Sequence, residues 1–425
     1  MSVAVLHGPA PLLPTAAAAR TGLHWALWLF IGSMIVPAEL AFEVGGLLIS
    51  PQRLVLLAVT VGVFRWYLRT RDLRPADWCV IVGGLWAVAA CFVNLDFIPA
   101  VERGGSYALE TIVAFMLPVA FVRSIRQVRM LIRCFAGVVG ILAALAMIEA
   151  AVGTHFIANT SAALMGKAQP FTADTRLGLL RARVSFSHQI LFGVFCASLF
   201  ALMWFEAPTV RQRVLRTGAC TLGVFASLSS AAILLLVMQV SLIGLERISR
   251  ITRHRSFLIA ALCGGGLLAI EFAVQGGLTG FITRYLSLNP STAYYRQLIW
   301  IHVTDDIIAN PFFGTGGAWT RPAWMVSSVD HVYFAKSLRY GLPPMLLTVA
   351  AAVLIAARLL RRKPAVQPGV FLSMRTGWMM CVIGIAIAGL TVDYFGRALP
   401  FVMFIIGLGA ALDRIWREEK RTSRA

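Results

Sequence analysis

Twelve long apolar segments, joined by short arginine-bearing connections, dominate this sequence. They fall at about 24–40, 47–64, 76–94, 106–122, 134–152, 188–205, 217–230, 231–245, 256–275, 342–357, 376–393 and 398–413. About 20 apolar residues cross the hydrocarbon core of a bilayer, and most of these segments reach or approach that length. Charged residues make up 13% of the chain and hydrophobic ones 59%, where a soluble domain carries about 25% charged residues. A soluble enzyme and a disordered chain are both excluded. The expected fold is an all-α polytopic membrane protein with about twelve transmembrane helices. The run 217–245 is too long for one span and short for two, with Leu228-Ser229-Ser230 as its expected break.

The net charge of +19 comes from 38 Lys and Arg against 19 Asp and Glu. In a soluble protein it would point to nucleic acid; here it reports topology. Alternate connections hold 26 of the 38 Lys and Arg, among them Arg65 to Arg74, Arg123 to Arg133, Arg211 to Arg216 and Arg358 to Lys363. Basic residues concentrate on the cytoplasmic side, so both termini are expected inside and nucleic acid is not a partner. The chain divides into a cytoplasmic tail 1–23, spans 1–9 over 24–275 with an outer loop 153–187, a large outer loop 276–341 between spans 9 and 10, spans 10–12 over 342–413, and a tail 414–425. Pro9, Pro11 and Pro14, with no charge before Arg20, do not suit a signal peptide. The seven cysteines sit in apolar segments without metal-ligand spacing and read as small buried hydrophobes. Glu110 is the clearest ionisable group inside a span, with no partner legible.

Both long outer loops are basic where depletion is the rule. Residues 153–187 hold Lys167, Arg176, Arg181 and Arg183 against Asp174, and 276–341 hold five Lys and Arg against Asp305, Asp306 and Asp330. Outer arginines suit an anion such as a phosphate. Arg181 and Arg183, two apart, would share one side of an extended stretch and match the oxygens of a diphosphate. His188 follows at the membrane border. In the second loop Ser291 suits a helix N-cap, and a helix from there to about Ala309 puts Arg296 and Trp300 one turn apart. Asp305-Asp306 keeps that helix out of the lipid core, and Asn310-Pro311 with Gly314 and Gly316 ends it. Next, Asp330 or a preceding serine caps a short helix that Gly341 terminates, and Pro343-Pro344 opens the next span. Asp330 and His331 lie just outside the membrane, and either can take a proton from a sugar hydroxyl. A solvated loop charge, a helix cap and a surface imidazole are the plainer readings of the same residues.

Together these segments resemble the O-antigen ligase and Wzy-type polysaccharide polymerase superfamily. The resemblance rests on Arg181 through Phe186 to His188, with Gln189 where proline is common. It rests also on Arg296 near Trp300 followed by Asn310-Pro311-Phe-Phe-Gly314-Thr-Gly316, and on the Ser229-Ser230 break. The ligase signature of His, an Asn, Ser or Gln, nine residues, then Gly-x-x-Gly aligns on Gly341. It puts Asp330 at the catalytic His, His331 at the next place and Pro344 at the last glycine. That departure favours the Asp-Asn form seen in polymerases over a ligase.

The resemblance implies a GT-C-like fold in the bacterial inner membrane, with the large loop in the periplasm. It implies metal-independent, inverting glycosyl transfer that joins undecaprenyl-diphosphate-linked oligosaccharide units into exopolysaccharide or O-antigen. Donor and acceptor are both lipid-linked, membrane lipid surrounds the site, and other assembly and export proteins are expected partners. No cofactor or metal is expected. Arg181, Arg183 and Arg296 would bind the diphosphate, Asp330 or His331 would act on the proton, and His188, Trp300 and Arg339 would support them. The alternatives are ligase-type transfer of finished glycan and, from another class, a twelve-span secondary transporter.

Overall fold

The computed structural model describes residues 22–166, 174–249, 290–325, 328–361 and 368–422. Among the described residues the protein is 75% helical, without a closed barrel, so the membrane-crossing elements described are helices. Eight of them are long and apolar enough to cross a bilayer among the described residues. In chain order the helices are α1 (Trp25–Ser33), α2 (Pro51–Thr70), α3 (Pro75–Asn94), α4 (Phe97–Phe121), α5 (Ile125–Val152), α6 (Phe156–Leu164), α7 (Gln189–Glu206) and α8 (Val210–Ser227). There follow α9 (Ser230–Ser249), α10 (Pro290–Ala309), α11 (Val332–Tyr340), α12 (Leu342–Arg361), α13 (Pro368–Ala388) and α14 (Ala398–Thr422). The apolar eight are α3, α4, α5, α7, α9, α12, α13 and α14. The chain is a multi-pass membrane protein, and the expected ninth segment, 256–275, lies outside the described residues.

Several ends differ from expectation for local reasons. The segment 24–40 yields α1 and a short 3-10 helix at Ala38–Leu40 rather than one span, because Pro37 steers Val36 out of helical backbone. The orphaned carbonyls of Ser33, Met34 and Val36 accept instead from the buried guanidinium of Arg397, at 3.3, 2.8 and 2.5 Å. The expected break at Leu228-Ser229-Ser230 is present, with Leu228 in left-handed backbone at φ 43°. The helix before it starts at Val210 rather than at 217, because Thr209 caps it and Arg211, Arg213 and Arg216 are themselves helical. The last helix runs on to Thr422 through the expected tail. Arg74 Nη1 meets Asp413 Oδ2 at 2.7 Å and Arg414 Nη2 meets Asp77 Oδ2 at 2.6 Å, which pins the Asp413–Arg414 turn of the helix against the α2–α3 turn.

The eighteen-residue apolar stretch of α14 is wholly buried, against 22% of that in α12, which makes α14 the hub. Helix packing this close needs small residues at the crossing. A Cβ on Gly407 would stand 2.0 Å from the Phe115 carbonyl oxygen of α4, and one on Gly409 would stand 2.2 Å from the ring of Trp378 on α13. Glu110 has its partner in Arg53 of α2, at 2.7 Å, from a π-helical turn spanning Leu109–Val113. Midway along its length, α7 breaks at Leu199. The buried Gln239 of α9 closes the gap, accepting from Ala201 N at 2.8 Å and donating to Ser198 O at 3.1 Å.

Candidate functional site

The face opposite the arginine-rich connections gathers most of the residues singled out in the sequence. Its floor is the segment 174–188. A two-residue hairpin pairs Thr175–Arg176 with Leu179–Leu180, and the chain then threads Arg181 to His188 into the start of α7. The α8–α9 break supplies the anchor. Its freed carbonyls on Ala226, Ser227 and Leu228 accept from Ala182 N at 2.9 Å, Arg181 Nε at 3.4 Å and Arg176 Nη1 at 2.8 Å. Helix ends leave such acceptors open, so the Ser229-Ser230 break and the arginine segment form one unit.

Arg181 and Arg183 are both buried, but they do not share one partner. Arg181 pairs with Asp174 at 2.7 Å, and Arg183 pairs with Glu39, from the turn after α1. The backbone explains the divergence: Val184 sits at φ 51°, so the stretch is not extended throughout. Glu149, at the end of α5, holds this turn by accepting from the backbone N–H of Arg183 and of Val184, both at 2.9 Å. Burial lowers the pKa of both arginines, that of Arg183 to about 10, which leaves Arg183 cationic at neutral pH.

On the other side of the site, Asp330 and His331 lead into α11. His331, not Asp330 or a serine, is the N-cap: its Nδ1 accepts from Phe334 N at 3.2 Å. A neutral imidazole whose Nδ1 accepts must carry its proton on Nε2. Burial also lowers the His331 pKa from 6.5 to about 4. At neutral pH the ring is therefore an uncharged donor through Nε2, with no free acceptor nitrogen. It stands edge-on to Trp300 of α10 at 5.1 Å and stacks on Phe334 at 4.2 Å. Asp330 is half-buried and makes no hydrogen bond or ion pair among the described residues.

His188 is the link between the two sides. It caps α7 as His331 caps α11, with Nδ1 accepting from Ile190 N at 3.2 Å. Burial and then the charge of Arg181 lower its pKa, while Asp330 and Asp174 raise it. The segment at 181–188 and the segment at 330–331 are therefore near enough to share an electrostatic field. Two helix N-termini, α7 and α11, belong to this group, and such ends favour anions. The side chain of Arg296 lies outside the described residues; its backbone is one turn before Trp300 on α10.

Arg339 belongs to a neighbouring buried group. It meets Asp393 Oδ2 at 3.5 Å, while Lys336 meets Asp393 Oδ1 at 3.2 Å and donates to Tyr394 O at 3.1 Å. The turn Asn310 to Gly317 fixes this end of α11. Leu338 O accepts from Thr315 N at 2.6 Å, and Leu342 N donates to Pro311 O at 2.7 Å. Trp86 and Asn94 of α3 donate to the carbonyls of Phe312 and Phe313, at 2.8 and 2.9 Å. Beside His331, Val332 and Tyr333 begin the wall of an apolar cavity of about 300 Å³ that runs down between α12, α13 and α14.

Sequence reasoning did not single out Glu39, Glu149, Asp393, Lys336 or Arg397. A signal existed for the acids. Buried arginines on an outer face need counter-charges, and these carboxylates stand at span borders. No protein-family model and no curated protein matches the chain.

Proposed function

We propose that this protein is a glycosyltransferase that extends lipid-diphosphate-linked oligosaccharides on the face opposite its arginine-rich connections. In this reading the arginine-rich side is cytoplasmic, the helices complete twelve spans of a GT-C-like fold in the bacterial inner membrane, and the site is periplasmic. The observation that carries the reading is that the charges of Arg181 and Asp330 both act on His188, while Val332 and Tyr333, next to Asp330 and His331 in the chain, line an apolar cavity between helices. The resemblance of the three motifs to Wzy-type polymerases supports it independently.

Under this proposal the acceptor hydroxyl attacks the anomeric carbon as the bond to the diphosphate oxygen breaks. Asp330 receives the hydroxyl proton and later gives it to water. His331 cannot share that task in its observed state, because its Nδ1 is engaged and its Nε2 already bears hydrogen; it donates to an oxygen and orients it. The electron pair leaves with the diphosphate. Arg181 and Arg183 then exchange Asp174 and Glu39 for phosphate oxygens, stabilising charge as it develops. Arg296 would join them from α10.

The broken helix α7 is the feature that a transporter would use. Gln239 already satisfies the freed groups at that break, which favours the transferase. The test is incubation of purified protein with lipid-diphosphate oligosaccharide. Longer lipid-linked glycans with released lipid diphosphate are expected. Solute uptake by vesicles without any longer glycan would reject the proposal.

A further inference from the structure

A second charged cluster lies on the arginine-rich face, where α5, α7, α8 and α9 end. Glu206 closes α7, and its side chain is fully buried. It accepts from Arg129 Nε at 3.2 Å and Arg133 Nε at 2.8 Å, both on α5, and from Arg216 on α8. Two residues earlier, Trp204 carries two more guanidiniums over its ring: Arg213 of α8 at 4.9 Å and Arg247 of α9 at 5.5 Å. Three guanidiniums from α5 and α8 thus converge on the one carboxylate of Glu206, which neutralises one of them, and two more lie over Trp204 beside it.

Side-by-side guanidiniums at low dielectric repel each other, so a cluster with this excess is stabilised by a further anion. The donors for it are present. Arg129 and Arg133 keep 30% and 48% of their side chains exposed, and a guanidinium has five N–H groups, of which Glu206 uses few. The surroundings are those of a lipid, not of water alone. Val210, Val214 and Leu215 of α8 and Ile248 of α9 are exposed apolar residues flanking the cluster. Tryptophan is enriched at the level where hydrocarbon gives way to headgroups. A free phosphate would have no use for that apolar flank; acyl chains would.

We infer that the Arg129–Arg133–Arg216 and Arg213–Arg247 cluster around Glu206 and Trp204 binds the phosphate headgroup of an anionic phospholipid, whose chains lie against α8 and α9. Basic pockets between membrane helices recognise such headgroups, and planar guanidiniums suit phosphate oxygens. The site stands apart from the proposed transferase site, on the opposite face, and does not depend on that reading.

The test uses the purified full chain in detergent, with thermal unfolding and native mass spectrometry as readouts. Phosphatidylglycerol and cardiolipin should raise Tm by several degrees and remain bound, whereas phosphatidylcholine and inorganic phosphate should do neither. A ligand that binds only the folded state raises Tm in this way. The Arg133→Gln/Arg247→Gln variant should lose the shift, and Arg358→Gln, elsewhere on the same face, should keep it. Should the double variant fail to fold, Arg247→Gln alone leaves the partners of Glu206 intact and should at least halve lipid retention. Equal stabilisation by phosphatidylcholine, or by inorganic phosphate, would overturn the assignment to an anionic lipid. Unchanged retention in Arg247→Gln would overturn the site.

Discussion

At the scale of single residues, His331 shows how a backbone contact decides side-chain chemistry. The sequence left Asp330 and His331 as equal claimants for the proton, because adjacency says nothing about which ring nitrogen is free. The N-cap bond from Phe334 N to Nδ1 removes that ambiguity. It also couples the ring to stability. The folded-state pKa is depressed from 6.5 to about 4, so the neutral form stabilises the fold. That contribution is complete above pH 6.5 and disappears as pH falls through 4. Asparagine also caps helices but does not titrate. Tm of His331→Asn should therefore fall less steeply than wild type between pH 6.5 and pH 4, and an identical slope would mean that the cap carries no linkage. His188, lowered in the same direction, adds to the wild-type slope and remains in the variant. Glu149 acts at this scale too. Each of its two bonds from the 183–184 backbone is charge-assisted, of a class worth about 1.5–3 kcal/mol. Glu149→Ala should lower unfolding stability by a few kcal/mol, and loss of transferase activity should exceed loss of folded protein.

At the scale of elements, the glycine turns and the helix break were legible, and their function in packing was not. Asn310-Pro311 and Gly341 announced helix ends correctly, since proline and left-handed glycine act locally. That the two ends lock together depends on contacts between Pro311 to Thr315 and Leu338 to Leu342, which no local rule contains. Gly341 sits at φ 81°, and a Cβ there would stand 1.9 Å from the Phe312 carbonyl oxygen. Gly341→Ala should cost at least about 1–3 kcal/mol from overpacking and should displace α11. Limited proteolysis of the 310–341 segment would accelerate relative to wild type; unchanged cleavage would show that the turn is not a clasp. The break in α7 is held by a side chain from α9. Gln239→Leu leaves a buried N–H and a buried C=O unpaired, at a cost of about 1–3 kcal/mol each, and its Tm in detergent should drop accordingly.

For the whole molecule, apolar runs sufficed to identify a multi-pass helical bundle, because the bilayer permits few alternatives. They misjudged lengths wherever arginines are helical, as at Val210 to Arg216 and Arg414 to Thr422, since hydropathy registers charge and not backbone. The arginines of the outer loop and Asp174 among them were visible, but Glu39 and Glu149 were not, because they come from the turn after α1 and from the end of α5. The arrangement brings together two helix N-termini, two buried guanidiniums and the Asp330 carboxylate, which has no hydrogen bond or ion pair among the described residues, and Val332 and Tyr333 next to it in the chain line an apolar cavity. The central claim is that Asp330 takes the acceptor proton there while His331 only donates. Turnover of lipid-diphosphate oligosaccharide by Asp330→Asn and His331→Asn tests this directly. Removal of a general base costs about 10²–10⁴-fold, so Asp330→Asn should fall by at least that lower factor at every pH while His331→Asn retains measurable turnover. Near-normal turnover by Asp330→Asn, or the reverse order of the two variants, would contradict the account.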